Sequence, residues 1–217
     1  MKSFLIVGLG RFGRHLAKRL AELGNEVMIL DQDEEQVARL ASVATAVCVG
    51  DCQDEQVLAS LGIRNFDACF VCVRDDFQCS LEATASLKEL GARCVVARAD
   101  QERQIKFLKK IGADYVIHTE MDMAARVAMR FSARNAFDYF ELTPKYAVFE
   151  IETPVVWEGR TVAEVDVRRR YNVNILGVKQ GDEIEPLLDP AYRFQPDVHL
   201  VVAGDKEAGI RLMNEEG

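Results

Sequence analysis

Six short runs of apolar, β-prone residues recur through the first 120 positions, separated by amphipathic helical stretches. They are Phe4 to Val7, Val27 to Leu30, Ala46 to Val49, Ala68 to Val73, Cys94 to Ala97 and Tyr115 to His118. Runs so continuously apolar, joined by helices rather than tight turns, predict a parallel sheet buried on both faces. Between them Leu16, Leu20 and Leu23 repeat at helical spacing, as do Val37, Leu40 and Ala41 at shorter range. Asp54 and Asp76 each precede a predicted helix, where a carboxylate caps free amides and meets the positive end of the helix dipole.

From Met121 the pattern changes to one long helical segment reaching about Ala136. Phe137-Asp138-Tyr139-Phe140 and the Thr143-Pro144 break follow, and the domain boundary is expected there, giving domains over 1–140 and 141–217. The second domain reads as strand Ala147 to Ile151, a helical stretch Val162 to Arg170, and strands near Asn174 to Val178 and Leu200 to Ala203. This predicts a small α+β unit with little core of its own, which should dock or dimerise. The aromatic boundary segment suits packing between domains or a surface shared with a second subunit.

Gly8-Leu9-Gly10-Arg11-Phe12-Gly13 follows the first strand and opens the first helix, the context a dinucleotide fingerprint requires. Gly8 permits the tight turn, Gly10 lets a phosphate approach the backbone, and Gly13 lets the helix lie close to the sheet. The fold class is therefore α/β, a Rossmann-type doubly wound parallel sheet followed by a small α+β domain. Asp31, ending the second strand, is placed to accept the ribose hydroxyls of an adenosine and to repel a 2′-phosphate. Asp51 is placed either to meet the adenine amino group or to make an ordinary loop turn with Gly50. The loop specifies adenosine plus phosphates, which NAD, ADP and ATP share. Arg11 suits a terminal phosphate or a solvated helix face. No Walker-type lysine loop occurs. Of the histidines, His15, His118 and His199, only His118 ends a strand near the crevice, and a structural role suits it better than catalysis.

A net charge of −8, about −2 up to Phe140 and −6 beyond it, opposes binding to nucleic acid. Arg168-Arg169-Arg170 is the one dense basic cluster, suited to a small anion or to a solvated helix end. The longest uncharged stretch, Leu40 to Gly50, is far short of the roughly 20 apolar residues of a membrane span. With no export signal read at Met1-Lys2-Ser3, the expected compartment is the cytoplasm, and the six cysteines are expected as thiols. Cys69 and Cys72 lie on one strand and should face opposite sides of the sheet, against a metal pair.

Five stretches in order carry a resemblance: Ile6-Val-Gly-Leu-Gly-Arg-Phe-Gly13, Leu61-Gly-Ile-Arg-Asn-Phe66, Lys110-Ile-Gly-Ala-Asp114, His118-Thr-Glu-Met-Asp-Met123, and Arg170-Tyr171 leading into Ile175-Leu-Gly-Val-Lys179. From end to end the chain resembles the KtrA/TrkA family of potassium-uptake regulators, with N-terminal and C-terminal RCK domains. The resemblance implies a non-enzymatic gating subunit, assembled from dimers into an octameric ring. It would dock on the cytoplasmic side of a separate potassium-translocating membrane protein of the KtrB/TrkH kind. It implies ATP or ADP in the crevice, with Gly8, Gly10, Arg11, Phe12, Gly13, Asp31, Gln32, Asp33, Asp51, Cys52, Arg98 and Glu120 as the contacting set. Arg11 matches an arginine that reaches the terminal phosphate, Arg98 replaces a lysine beside the nucleotide, and Glu120 matches a carboxylate that a divalent cation such as Mg2+ would bridge to phosphate. Asp33 stands where asparagine is frequent, bringing a second negative charge. In the second domain Arg168 matches an arginine for a cyclic di-AMP phosphate, while Ala163 replaces a bulkier residue expected over the base. The alternatives are an NAD(H)-sensing module and an NAD-dependent oxidoreductase.

Overall fold

The computed structural model describes residues 1–74, 76–132, 136–186 and 189–214 and divides the chain into two compact units, Met1–Glu120 and Met121–Gly217. In the first, β1 (Ser3–Val7), β2 (Glu26–Asp31), β3 (Ala46–Val49), β4 (Ala68–Val71), β5 (Val95–Arg98) and β6 (Tyr115–Ile117) form one sheet in the order β3-β2-β1-β4-β5-β6. Every neighbouring pair is parallel. The connections are α1 (Arg11–Glu22), α2 (Glu34–Leu40), α3 (Glu55–Ser60), α4 (Phe77–Glu89) and α5 (Glu102–Ile111).

The two-residue period of the strands sorts side chains onto two faces. Leu5 and Val7 of β1, Leu30 of β2 and Val71 of β4 pack with Leu58 of α3, Leu87 of α4 and Leu108 of α5. Ile6, Val27 and Ile29 pack instead with Ala17 of α1 and with Val37 and Leu40 of α2. Cys69 belongs to the first core and Cys72 to the second, so the pair does face apart, and burial pushes each thiol up to about 12. Burial on both faces does not extend to the sheet edges. Val47 and Val49 of β3 and Tyr115 of β6 are exposed, because each edge strand has a neighbour on one side only. Leu23 is exposed as well, for α1 ends at Glu22 and leaves it beyond the packed face. Asp54 and Asp76 cap α3 and α4, accepting from the amides of Gln56 and Cys79.

In the second unit α6 (Thr119–Ser132) leads in, and the expected continuation over 133–135 lies outside the described residues. β7 (Ala136–Glu141) pairs antiparallel with β8 (Tyr146–Glu152), placing Tyr139 opposite Phe149. The expected boundary after Phe140 thus differs from the observed division after Glu120, since the aromatic segment is a strand of the second sheet. That sheet has the order β10-β9-β11-β8-β7 and adds β9 (Val173–Gln180), β10 (Glu183–Pro186) and β11 (His199–Asp205). The helical stretch at Val162 is broken into α7 (Val162–Val165) and α8 (Val167–Tyr171) by Asp166, whose φ of 51° is left-handed. Trp157, Phe149 and Phe194 centre the core, closed by α9 (Lys206–Met213). A Cβ on Gly209 would lie 2.2 Å from the Phe149 ring, so only glycine lets α9 rest there.

One ion cluster links β8, β9 and β11. Glu150 on β8 accepts from Lys179 Nζ at 2.8 Å and meets His199 Nδ1 at 2.8 Å, while Phe137 stacks on the His199 ring. Burial pushes the Glu150 carboxyl up, but the bonds from Lys179 and His199 outweigh it and hold the group below its ordinary value. A lowered folded pKa adds stability that is complete above the ordinary glutamate range and is lost as pH falls through the folded value. Unfolding followed below about pH 4 should therefore show a pH slope that Glu150→Gln reduces. An unchanged slope would remove Glu150 as its source.

Candidate functional site

The strand order reverses between β1 and β4, so their carboxyl ends part and open a crevice there. Gly8, with φ of 91°, turns the chain out of β1, and its amide donates to the Leu30 carbonyl at 2.9 Å. A Cβ on Gly13 would stand 2.1 Å from the Gly8 oxygen, so the first turn of α1 lies directly against the loop. A Cβ on Gly10 would meet nothing within 4 Å, so the space over the loop is open. Gly10 is also the N-cap of α1 and supplies no side-chain cap, leaving the first-turn amides available to an anion.

Asp31 ends β2 and ties the loop in place. Its Oδ2 accepts from the buried Leu9 amide and its Oδ1 from the Asp33 amide at 2.9 Å. A carboxylate offers about four acceptor positions, so two remain for a ligand. Asp51 accepts from the Gln53 amide at 2.9 Å, an ordinary turn interaction that leaves its other oxygen free of that turn.

A cavity of about 290 Å3 occupies this crevice, and of the predicted residues Gly8, Gly10, Asp31, Gln32, Asp51 and Cys52 line it. Arg11, Phe12, Gly13, Asp33, Arg98 and Glu120 do not. Arg11 is exposed at the start of α1. Asp33 spends its carboxylate on capping α2, accepting from Glu35 and Gln36. Arg98, at the end of β5, is buried, donates to Glu120 at 2.6 Å and Asp100 at 3.1 Å, and places its guanidinium 5.9 Å from the centre of the Phe12 ring. Its Nε is buried without a hydrogen-bond partner among the described residues. The Thr119 hydroxyl, together with Arg98, holds the Glu120 carboxyl below the ordinary glutamate range. Among the described residues no group of three or more His, Cys, Asp or Glu side chains is arranged to hold a metal ion. Glu120 offers one carboxylate, already engaged.

The cavity also takes in Val73, Arg74, Asp76 and Cys79, which sequence reasoning did not assign to it. The signal was available: they follow β4, the strand across the reversal from β1, where the opposite wall must lie. In the second unit, Arg168 and Ala163 share a separate cavity of about 290 Å3 with Asn174 and Pro190.

Known proteins identify the family and the fold. The TrkA-N domain model matches residues 4–119 and the TrkA-C domain model residues 147–217. The Ktr system potassium uptake protein C of Bacillus subtilis is 39% identical over 93% of this chain and 91% of its own. The chain belongs to the KtrA/TrkA family. Another member, the Ktr system potassium uptake protein A of the same organism, is 34% identical over 99% of this chain and 96% of its own. Among solved structures the GsuK channel superposes with a TM-score of 0.72 at 17% identity, covering 100% of this chain and 40% of that one. The same channel bound to NAD gives 0.70 at 18% identity, again over 100% and 40%. At this identity the likeness is one of fold. Both Ktr relatives are potassium uptake proteins, and this chain carries a Rossmann-type domain. No helix among the described residues is long and apolar enough to cross a membrane.

Proposed function

We propose that the chain is a cytoplasmic regulatory subunit that binds ATP or ADP in the β1/β4 crevice and gates a separate potassium-conducting membrane subunit. The observation that carries this reading is the glycine loop with its open, uncapped α1 amides beside Asp31, in a chain matching Ktr proteins over nearly its whole length. Adenosine would sit between Asp31, Gln32 and Asp51, and the phosphates over Gly10. The likeness to Ktr potassium uptake proteins supports the membrane partner and the octameric ring in this reading. NAD, bound by the GsuK channel, is the competing ligand for the same groups.

Arg11, exposed beside the loop, would reach a terminal phosphate of its own or a neighbouring subunit's nucleotide. A divalent cation at Glu120 would take most of its oxygens from the nucleotide. The exposed Met123, Val127 and Phe131 on α6 suit a face between subunits. ATP and ADP would shift the ring by binding its two conformations unequally. Moving such an equilibrium from 1:99 to 99:1 needs about 5.5 kcal/mol, or roughly 0.7 kcal/mol from each of eight sites acting together.

Affinities of the purified chain for ATP, ADP, NAD and NADH, with and without magnesium, test the reading while light scattering reports the mass. Preference for ATP or ADP in a ring-sized particle is the expected result, and tight NADH binding that ATP cannot displace would overturn it. Arg11→Ala should weaken ATP about fivefold by removing one charged phosphate contact. Equal ATP affinity in the variant would remove Arg11 from the site.

A further inference from the structure

The crevice wall carries two thiols whose sulfur chemistry the proposed function does not use. Cys52 lies in the turn after β3 and Cys79 in the first turn of α4, yet their sulfurs are 3.2 Å apart and both line the cavity. Each segment is braced locally by a carboxylate. Asp76 accepts from the Cys79 amide at 2.9 Å, and Asp51, next to Cys52, accepts from the Gln53 amide. Gln53 in turn donates through its side chain to Glu82 of α4 at 2.6 Å, a strut between the two segments. A disulfide requires sulfurs about 2.0 Å apart, so closure asks for roughly 1 Å of relative movement.

We propose that Cys52 and Cys79 are a thiol pair that hydrogen peroxide can close into a disulfide, which draws in one wall of the crevice and lowers its affinity for adenine nucleotides. The effect on nucleotide rests on the reading of the crevice given above; formation of the bond does not. One thiolate attacks a peroxide oxygen, the O–O bond breaks, and the sulfur becomes a sulfenic acid as water leaves. The second sulfur then attacks the sulfenic sulfur, the S–S bond forms, and the hydroxyl departs with the second thiol proton as water. Two thiols lose two protons and two electrons, and hydrogen peroxide becomes two waters. The bond joins the turn that carries Asp51 to α4 and narrows a cavity of about 290 Å3 from that side. Burial pushes both thiols above their ordinary value, so closure should quicken as pH rises toward the thiol range.

The whole reduced chain is treated with excess hydrogen peroxide, its remaining thiols are alkylated with iodoacetamide, and a non-reducing digest is analysed by mass spectrometry. A linked Cys52–Cys79 peptide is expected from a protein that still runs as a monomer without reductant. It should disappear with dithiothreitol and be absent from Cys52→Ser. Recovery of both residues alkylated, as sulfinic acids, or linked to other cysteines overturns the pair. In ADP titrations the linked protein should bind about fivefold or more weakly, with recovery on reduction, the lower end of typical coupling between sites. Equal ADP affinity before and after linkage overturns the regulatory half. If the reduced protein binds no ADP, the crevice reading falls, and the linked peptide alone decides the bond.

Discussion

Gly13→Ala is expected to cost ~3 kcal/mol or more of folding stability and to abolish nucleotide binding, read as a lowered midpoint in denaturant unfolding and a lost ADP isotherm. The cause is a collision between rigid parts. The added Cβ would stand 2.1 Å from the Gly8 carbonyl oxygen and 3.3 Å from the Cys72 Cβ. Gly8 is held in place, because its amide donates to the Leu30 carbonyl and its backbone packs so closely on Val73 that a Cβ there would stand 3.0 Å from the Val73 nitrogen. α1 must therefore lift from the loop, carrying its amides away from the crevice. Gly10→Ala is the matched control: its methyl meets no atom within 4 Å, so folding should change by less than ~1 kcal/mol. Equal stability of Gly13→Ala and the parent chain would show that the loop is looser than this packing implies.

Asp31→Ala should lower ADP affinity about a hundredfold and stability by ~2 kcal/mol, because charged hydrogen bonds of this kind each contribute about 1.5–3 kcal/mol. The carboxylate holds the Leu9 and Asp33 amides and, in the proposed complex, the ribose hydroxyls as well. Its neighbour separates binding from folding. Asp33→Ala removes only the α2 cap on Glu35 and Gln36, costing ~1 kcal/mol of stability with little change in affinity. Isothermal titration and unfolding of the two variants side by side check this. A similar affinity loss in both would return Asp33 to the site and deny Asp31 its special position.

Much of the architecture was legible in advance because it depends on short-range pattern. The six first-domain strands match to within a residue or two, because each is a compact apolar run between helices. β7, β10 and α9 were not foreseen. β7 carries Asp138 between aromatic residues, β10 reads Glu-Ile-Glu-Pro with every residue exposed, and α9 mixes the charges of Lys206, Glu207 and Arg211 with Gly209. Such segments take their structure from a partner across the sheet or from the Phe149 ring beneath them.

The candidate site divides the same way. Sequence by itself determined the glycine loop, its position after β1 and the carboxylate ending β2, because these depend on spacing along one βαβ unit. Only the tertiary structure decided what faces them. It brought Val73, Arg74, Asp76 and Cys79 from the far side of the strand-order reversal into the cavity. It also set Arg98 against Glu120 and Phe12, and Cys52 against Cys79. Those pairings join residues 22 to 86 positions apart, and no local period in a chain encodes which distant side chains the crossing of strands will bring face to face.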